Sequence, residues 1–404
     1  MVYAIKVELK LNNKEKTLMA KHAGFARFCY NYGLSLYSSL DHNIYKGGVS
    51  KKINEIKKTL TNYTKKLTEY QWMNELSSRV YQNAFKNLQS AFTRFFQKLG
   101  KYPKFKRKKD KSSFTVDSSN GVVLVGGGKK IKIPTLGTFR LFEEIPKYIS
   151  QTFTISKSGN KWYVAFAVEA EKIPPRIHEV VNPVGIDLGI KVFATVSDGK
   201  TIESPKPYKK AKTKLGKLNY HNRHKCLGNR RKGIKSSNNA KKYYQKLGQF
   251  NAKVGNQRKD FLQKTTTELV RKYGHLRIED LNIKGMMSNH KLAGAIGDLG
   301  AYEFKRQLIY KAPWFGTKID IIDQWFPSSK GCHNCGRIKS DLTLKDRVFK
   351  CDNCGLEIDR DLNASLRLKK APDEVVINRV GYTQIYACGQ VGADSLGGSK
   401  KQTL

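Results

Sequence analysis

Residues 1–10 alternate, with Ala4, Lys6 and Glu8 set against Ile5, Val7 and Leu9, which predicts one β-strand. The period then changes. Phe25, Phe28, Cys29, Tyr32 and Leu36 recur at helical spacing, and so do Leu76, Val80, Ala84, Leu88 and Phe92. Such stripes read as helix–helix core. Over 112–172 the period falls to two, with strands read at 114–116, 122–125, 130–133, 138–142, 152–156 and 161–168. Ser158-Gly159-Asn160 reads as the hairpin turn between the last two. The region is expected to form a small β-barrel that residues 1–10 join, which makes the helical stretch 11–108 an insertion.

Glu171-Lys172-Ile173-Pro174-Pro175 reads as a linker. After it comes an apolar run with an acid inside it and glycines on both sides, Val184-Gly185-Ile186-Asp187-Leu188-Gly189-Ile190. Residues 192–196, the turn Ser197-Asp198-Gly199-Lys200 and residues 201–203 complete a meander. Helix is read at 257–273, strand at 275–279, helix at 301–310, strand at 317–322 and a last, acid-led helix at 362–369. The order fits a mixed sheet flanked by helices with acids on its first and fourth strands, the layout of an RNase H-like nuclease fold. The fold class is α+β and multidomain. Residues 1–10 and 109–176 form the barrel and 11–108 the helical lobe. Residues 177–325 and 358–375 form the nuclease-like domain, 326–357 an inserted ribbon and 376–404 a flexible, Gly/Ser/Lys-rich tail.

Charge narrows the partner. The chain has 404 residues, with 76 Lys+Arg against 33 Asp+Glu, a net charge of +43. A field of that size repels itself unless a polyanion offsets it, so nucleic acid is the expected partner. Lys101-Tyr102-Pro103-Lys104-Phe105-Lys106-Arg107-Lys108-Lys109 interleaves aromatics with cations between folded segments, so Lys104, Lys106, Arg107, Lys108 and Lys109 are candidate phosphate contacts. From Pro205 to Lys259 there is no Asp or Glu, while Arg230, Arg231 and Lys232 join many other cations. Interspersed Tyr220, Tyr243, Tyr244, Leu247 and Phe250 favour helices along a nucleic-acid backbone over a disordered basic linker. No apolar h-region opens the chain, and no uncharged apolar run approaches the roughly 20 residues of a membrane span. The expectation is a cytoplasmic, nucleoid-associated protein.

Two sets of residues carry chemistry. Cys332-x-x-Cys335 and Cys351-x-x-Cys354 stand fifteen residues apart, each pair followed by glycine. Four thiolates at that spacing predict one closed, structural Zn²⁺ site, with an iron–sulfur centre the less favoured alternative. His333 reads as surface rather than a fifth ligand, and Cys29 as core. The second set is acidic: Asp187, Glu279 in Leu276-Arg277-Ile278-Glu279-Asp280-Leu281-Asn282, and Asp361 in Asp359-Arg360-Asp361-Leu362-Asn363-Ala364-Ser365. A carboxylate in an apolar strand needs a cationic partner or a metal. Glu279 is preferred to Asp280, because side chains alternate along a strand and Ile278 and Leu281 then pack best. Asp361 is preferred to Asp359, which is read as a helix cap or a residue supporting the ligands. Three such acids can converge on two Mg²⁺ ions and run phosphodiester hydrolysis.

With these residues in hand the chain resembles TnpB, the insertion-sequence-encoded RNA-guided nuclease family related to miniature type V CRISPR effectors. The resemblance runs through Phe25-Ala26-Arg27-Phe28-Cys29-Tyr30-Asn31, Gln82-Asn83-Ala84-Phe85-Lys86-Asn87-Leu88 and Pro103-Lys104-Phe105-Lys106. It continues through residues 185–191, Asn256-Gln257-Arg258-Lys259-Asp260-Phe261, residues 277–282, Phe326-Pro327-Ser328-Ser329, residues 359–365 and Ala387-Cys388-Gly389. It implies a wedge barrel with an inserted helical recognition lobe, followed by a RuvC-like nuclease holding a zinc ribbon. The family's acids fall on Asp187, Glu279 and Asp361. The implied partners are a guide RNA from the transposon end and a double-stranded DNA target beside a short motif, bound by a monomer on RNA. Gln82, Asn83 and Ser119 become candidate motif readers, with Lys86, Asn256 and Arg258 as further nucleic-acid contacts. Two rival readings are an RNA-guided DNA-binding repressor that does not cut, and a strand-transfer transposase.

Overall fold

The computed structural model describes residues 2–39, 48–108, 112–117, 123–145, 152–169, 178–225, 228–229, 233–343 and 346–377. The chain divides into two units, Val2–Ala170 and Glu171–Leu404 apart from Met1. In the first, β1 (Val2–Lys10) runs antiparallel to β7 (Lys161–Glu169) along its length and to β5 (Gly137–Leu141) at its end. With β2 (Ser113–Asp117), β3 (Val123–Val125), β4 (Lys130–Ile133) and β6 (Thr152–Ser158) they form a seven-stranded sheet ordered β2-β6-β7-β1-β5-β4-β3. The β6–β7 hairpin closes at Ser158↔Lys161 with Gly159 at φ 59°. Among the described residues the two edge strands, β2 and β3, are not paired with each other, so barrel closure is not seen. At the β2 end of the sheet a helix packs against its apolar face.

That helix is α3 (Ser78–Phe96), which packs with α1 (Asn13–Ser39) and α2 (Val49–Asn62). The helical stripes turn inward: Phe25, Cys29, Val80, Ala84, Leu88 and Phe92 join Phe114, Val116, Ile155 and Val164 of the sheet in one continuous core, with Phe28, Tyr32 and Leu36 partly buried against it. The linker read at 171–175 lies outside the described residues.

In the second unit a five-stranded sheet is ordered β10-β9-β8-β11-β12. Its strands are β8 (Val184–Leu188), β9 (Ala194–Val196), β10 (Thr201–Ile202), β11 (His275–Glu279) and β12 (Lys318–Ile322). β8, β11 and β12 are parallel, and β9 and β10 antiparallel. The expected helix at 257–273 is the end of a much longer one, α5 (Asn238–Lys272), preceded by α4 (Pro207–His221). Ser237 caps α5 by accepting from the Ala240 N–H at 3.1 Å. α4 has no cap from its own first residues; the buried Asp298 carboxylate accepts from the Tyr208 and Lys209 N–H groups at 3.0 Å each. Asp298 belongs to α7 (Ala293–Leu299), which follows the short α6 (Ile283–Met287) and precedes α8 (Ala301–Phe315).

One face of this sheet is apolar. Val184, Ile186, Leu276, Ile278 and Ile321 pack with Leu262, Leu269 and Val270 of α5 and Phe304 and Leu308 of α8. The other face carries α9 (Arg360–Lys369). Between β12 and α9 lies the ribbon, whose hairpin is β13 (Val348–Lys350) with β14 (Glu357–Asp359). Residues 376–377, expected in the tail, pair with the sheet: Val376 bridges to Ile322 and the Ile377 N–H donates to Ile321 O at 2.7 Å. Residues 378–404 lie outside the described residues. No helix among the described residues is long and apolar enough to cross a membrane.

Candidate active site and metal centre

Asp187 is the fourth residue of β8 and Glu279 the last of β11. The two strands are neighbours and parallel, with Ile278 opposite Ile186, so the next step of the register sets Glu279 beside Asp187. Both acids therefore stand at the carboxyl edge of the parallel strands, where open α/β sheets present their sites. Strand alternation puts Gly185 and Asp187 on one face, and Arg277 and Glu279 on the same face. α9 lies on it. A Cβ at Gly185 would come 2.0 Å from Ser365 O and 2.6 Å from Lys369 N, so only glycine lets the α9 backbone seat on β8. The C-terminal end of α9 meets Gly185, and its first turn, with Asp361, meets the Asp187 end.

Arg277 locks that docking. It is 9% exposed. Its Nε donates to Asp320 Oδ2 at 3.2 Å and its Nη2 to Asp373 Oδ1 at 2.9 Å. Its Nη1 donates to Lys369 O at 3.2 Å and Ala371 O at 2.5 Å, which satisfies the carbonyl end of α9. At the other end Asp359 caps the helix, accepting from the Asp361 and Leu362 N–H groups at 3.0 Å each. Of the two roles read for Asp359 the structure shows the cap, and Asp361 stands in the first turn. Sequence reasoning missed Arg277. An arginine two residues before an acid on a strand shares its face, but nothing local says that a helix end will land there.

The acids feel one another. The Asp187 carboxyl is pushed up to about 7 by burial first, then by the negative charges of Asp361 and Glu279, with Arg360 opposing. Burial also raises Glu279, against a hydrogen bond from Ser328 Oγ to Glu279 Oε2 at 2.8 Å. Asp280 is engaged elsewhere, in a half-buried ion pair with Lys305. Arg360 Nη2 lies 3.3 Å from Asp361 Oδ1. The space beside Gly189 is narrow: a Cβ there would meet Val192 O at 2.8 Å, and Asp361 Oδ2 at 4.0 Å. Carboxylates at a sheet edge offer the hard oxygen donors that a divalent cation such as Mg²⁺ prefers. Among the described residues the three acids do not gather into a metal-holding group of the kind that the four cysteines form.

The sulfur set is tighter. The four cysteine Sγ atoms all lie within 4.8 Å of one another, with Cys332–Cys354 at 3.6 Å and Cys335–Cys351 at 3.5 Å. A tetrahedron of sulfurs about 2.3 Å from zinc has edges of about 3.8 Å, so the spacing fits that ion. Both knuckles close alike. Gly336 at φ 80° and Gly355 at φ 69° return their N–H groups to Cys332 O and Cys351 O at 3.0 Å. The left-handed turn is what requires glycine there. Hydrogen bonds from the Asn353 side chain and the Arg337 N–H lower the Cys335 thiol to about 6, which favours the ligating thiolate.

The predicted nucleic-acid contacts fare unevenly. Lys104, Arg107, Lys108 and Asn256 are exposed, and Gln82 is half-buried. Lys86 is exposed but pairs with Asp117 at 3.1 Å. Lys106 lies over the Tyr30 ring at 3.9 Å, its backbone held by Asn31 through bonds of 2.8 and 2.9 Å. Two are turned toward protein partners. Asn83 is 6% exposed and donates its amide to Arg79 O at 2.8 Å and Asp117 Oδ1 at 3.1 Å, joining α3 to β2. Arg258 donates to Asp298 at 2.9 Å and so joins α5 to α7. Polar residues on amphipathic helices read as solvent-facing, and only packing shows which ones are turned inward. Lys109, Ser119, Arg230, Arg231 and Lys232 lie outside the described residues.

The OrfB_IS605 family model, described as "Probable transposase", matches residues 165–290, and the "Cas12f1-like, TNB domain" model matches residues 302–368. A "Helix-turn-helix domain" model matches residues 1–40, where the structure has β1 followed by α1. The chain is 34% identical over 310 residues to a Streptomyces pristinaespiralis protein named "Putative RNA-guided DNA endonuclease", covering 76% of this chain and 74% of the relative. It is 27% identical over 405 residues to "Putative RNA-guided DNA endonuclease InsQ" of Escherichia coli (strain K12), covering 96% and 94%. The fold is similar to that in a cryo-EM structure of a Cas12f1-sgRNA-target DNA complex, with TM-score 0.53, 13% identity and 93% and 99% of the two chains covered. Identity of this order, sustained over most of both sequences, together with these family matches, means that the chain belongs to the TnpB family.

Proposed function

We propose that this chain is an RNA-guided DNA endonuclease, whose second unit is an RNase H-like, RuvC-type nuclease interrupted by a zinc ribbon. The observation that carries the reading is geometric: the parallel register of β8 and β11 sets Glu279 beside Asp187, and the first turn of α9 brings Asp361 to the same sheet edge. These three carboxylates would hold two Mg²⁺ ions, and Cys332, Cys335, Cys351 and Cys354 one structural Zn²⁺. When bound, the magnesium pair supplies the Lewis acidity needed to activate water and stabilise the leaving oxygen. The chain's own residues do the rest. Ser328 fixes the Glu279 carboxylate, Asp359 and Arg277 hold the two ends of α9, and Arg360 lies beside the site as a cation for phosphate charge.

Specificity on this reading comes from guide–target pairing, so the protein needs mainly a basic surface for backbones and a small base-reading surface. The acid-free stretch 205–259, carried on α4 and the first part of α5, supplies cations for the guide RNA or heteroduplex. The sheet-and-helix unit, residues 2–170, takes the wedge and recognition roles, with Gln82, Lys86, Lys104 and Arg107 as contacts. The target is double-stranded DNA beside a short motif. The chain is proposed to act as a monomer on its RNA in the cytoplasm.

The test is direct. Protein purified with its bound RNA is sequenced for that RNA, then given DNA carrying the matching target. Wild type cuts in magnesium and Asp187→Ala binds without cutting. Binding without cutting by the wild type would make the chain a guided repressor, and joined rather than hydrolysed ends would make it a transposase.

A further inference from the structure

The segment that leads from β12 into the ribbon is tied to the elements of two acids at once. Ser328, 3% exposed, donates its hydroxyl to Glu279 Oε2 at 2.8 Å. Three residues on, Gly331 O accepts from Asn363 Nδ2 at 2.8 Å, and the His333 N–H donates to Asn363 Oδ1 at 3.0 Å. Asn363 is fully buried and stands two residues after Asp361 on α9. One amide that both donates to and accepts from a foreign backbone fixes the register of that backbone. Buried, neither of those groups can turn to water if its bond is left unmade.

There is no slack between the two anchors. The Gly331 N–H bonds Pro327 O at 3.0 Å, and a Cβ at Gly331 would come 2.7 Å from Arg367 Nε. Lys370 Nζ adds a bond to His333 O at 3.0 Å. Cys332, the first residue of the sulfur set, lies between the two residues that Asn363 clamps. At the far end of the ribbon, β14 ends in Asp359, the cap of α9. Both ends of the sulfur-bearing insertion are therefore bonded to the supports of Glu279 and Asp361.

We infer that Ser328 and Asn363 are positioning residues through which the metal held by Cys332, Cys335, Cys351 and Cys354 sets the placement of Glu279 and Asp361. This rests on the nuclease reading for its consequence, though not for its geometry. With the ion bound, the first knuckle holds Gly331 O and the His333 N–H where Asn363 needs them. Without it four thiols have no common centre, the knuckle opens, and α9 loses the clamp at its first turn.

Amide hydrogen exchange on the full chain tests this, before and after removal of the ribbon metal with a chelator. In wild type, exchange at 276–280 and 360–366 is expected to speed up about 5- to 150-fold, the range of ordinary coupling energies. Mn²⁺ binding to the carboxylates should weaken in step. Ser328→Ala should abolish the response at 276–280 only, and Asn363→Ala that at 360–366 only. Each variant starts from fast exchange, and metal removal adds nothing further. Exchange at both segments unmoved by metal removal in wild type, while 332–356 becomes labile, would overturn the inference. So would equal responses in wild type and both variants. Coupled exchange in a protein that binds no Mn²⁺ would sink the nuclease reading and leave the clamp standing.

Discussion

Replacing Asp187 with asparagine should stabilise the magnesium-free protein while abolishing cleavage. The Asp187 carboxyl, ordinarily at 3.8, is pushed up to about 7 by burial and by the charges of Asp361 and Glu279. A raised carboxyl means that the folded chain keeps a proton which the unfolded chain has already released. Stability is therefore lost as pH rises from about 4 to about 7, and is flat above. A shift of that size is a ceiling of about 4 kcal/mol, and solvent reaching the partly exposed carboxylate reduces it to an expected 1–3 kcal/mol or so. A unit of roughly 200 residues gains about 2–4 °C per kcal/mol, so Asp187→Asn should melt about 3–10 °C higher at pH 8. The assay is thermal unfolding of wild type and variant from pH 4 to pH 8, without and with magnesium. The gap should open across that window, and magnesium should raise wild type while leaving the variant nearly unmoved. A variant less stable at pH 8, a gap independent of pH, or equal stabilisation of both by magnesium would refute the reasoning.

Glu279→Gln should lose cleavage with its fold intact, whereas Asp280→Asn, which breaks the pair with Lys305, should cost about 1–3 kcal/mol and still cut. Equal loss of cleavage in two folded variants would reverse the choice between these neighbours. Gly185→Ala places a Cβ 2.0 Å from Ser365 O and should destabilise by more than about 4 kcal/mol, read by denaturant unfolding. A normal midpoint would mean α9 does not seat on β8 as described. RNA binding, measured by filter retention across a salt series, should weaken by about 1,000-fold or more between 50 and 200 mM salt if six or more phosphates are contacted. A flat series would remove the basic-surface argument.

Much of the second unit was legible because its signals are local. The apolar runs around Asp187 and Glu279, the strand at 318–322 and the acid-led helix each announce themselves by period and by one misplaced charge. The cysteine pairs specify a tetrahedral site through spacing alone, and Asp359 beside Asp361 can be sorted because a helix start has only one capping position. Other features were out of reach for equally physical reasons. The first part of α5 is highly basic and nearly without buried side chains, so interspersed aromatics rather than period favoured helix over linker there, and the length of that helix was out of reach. Asn83 and Arg258 look like surface until Asp117 and Asp298 arrive from elsewhere in the chain.

What the sequence determined by itself is the chemistry available: three acids in strand and helix-start settings, four thiols in two knuckles, and a positive charge that asks for a polyanion. Side-chain type and short-range period suffice for that, because both act within a few residues. Only the tertiary structure decided which groups meet. The parallel register of β8 and β11 puts Glu279 beside Asp187, Gly185 admits α9, Arg277 holds that helix by its carbonyl end, and Asn363 joins it to the ribbon. Each of those contacts spans tens of residues or more, and it exists only where packing has already brought its two ends together.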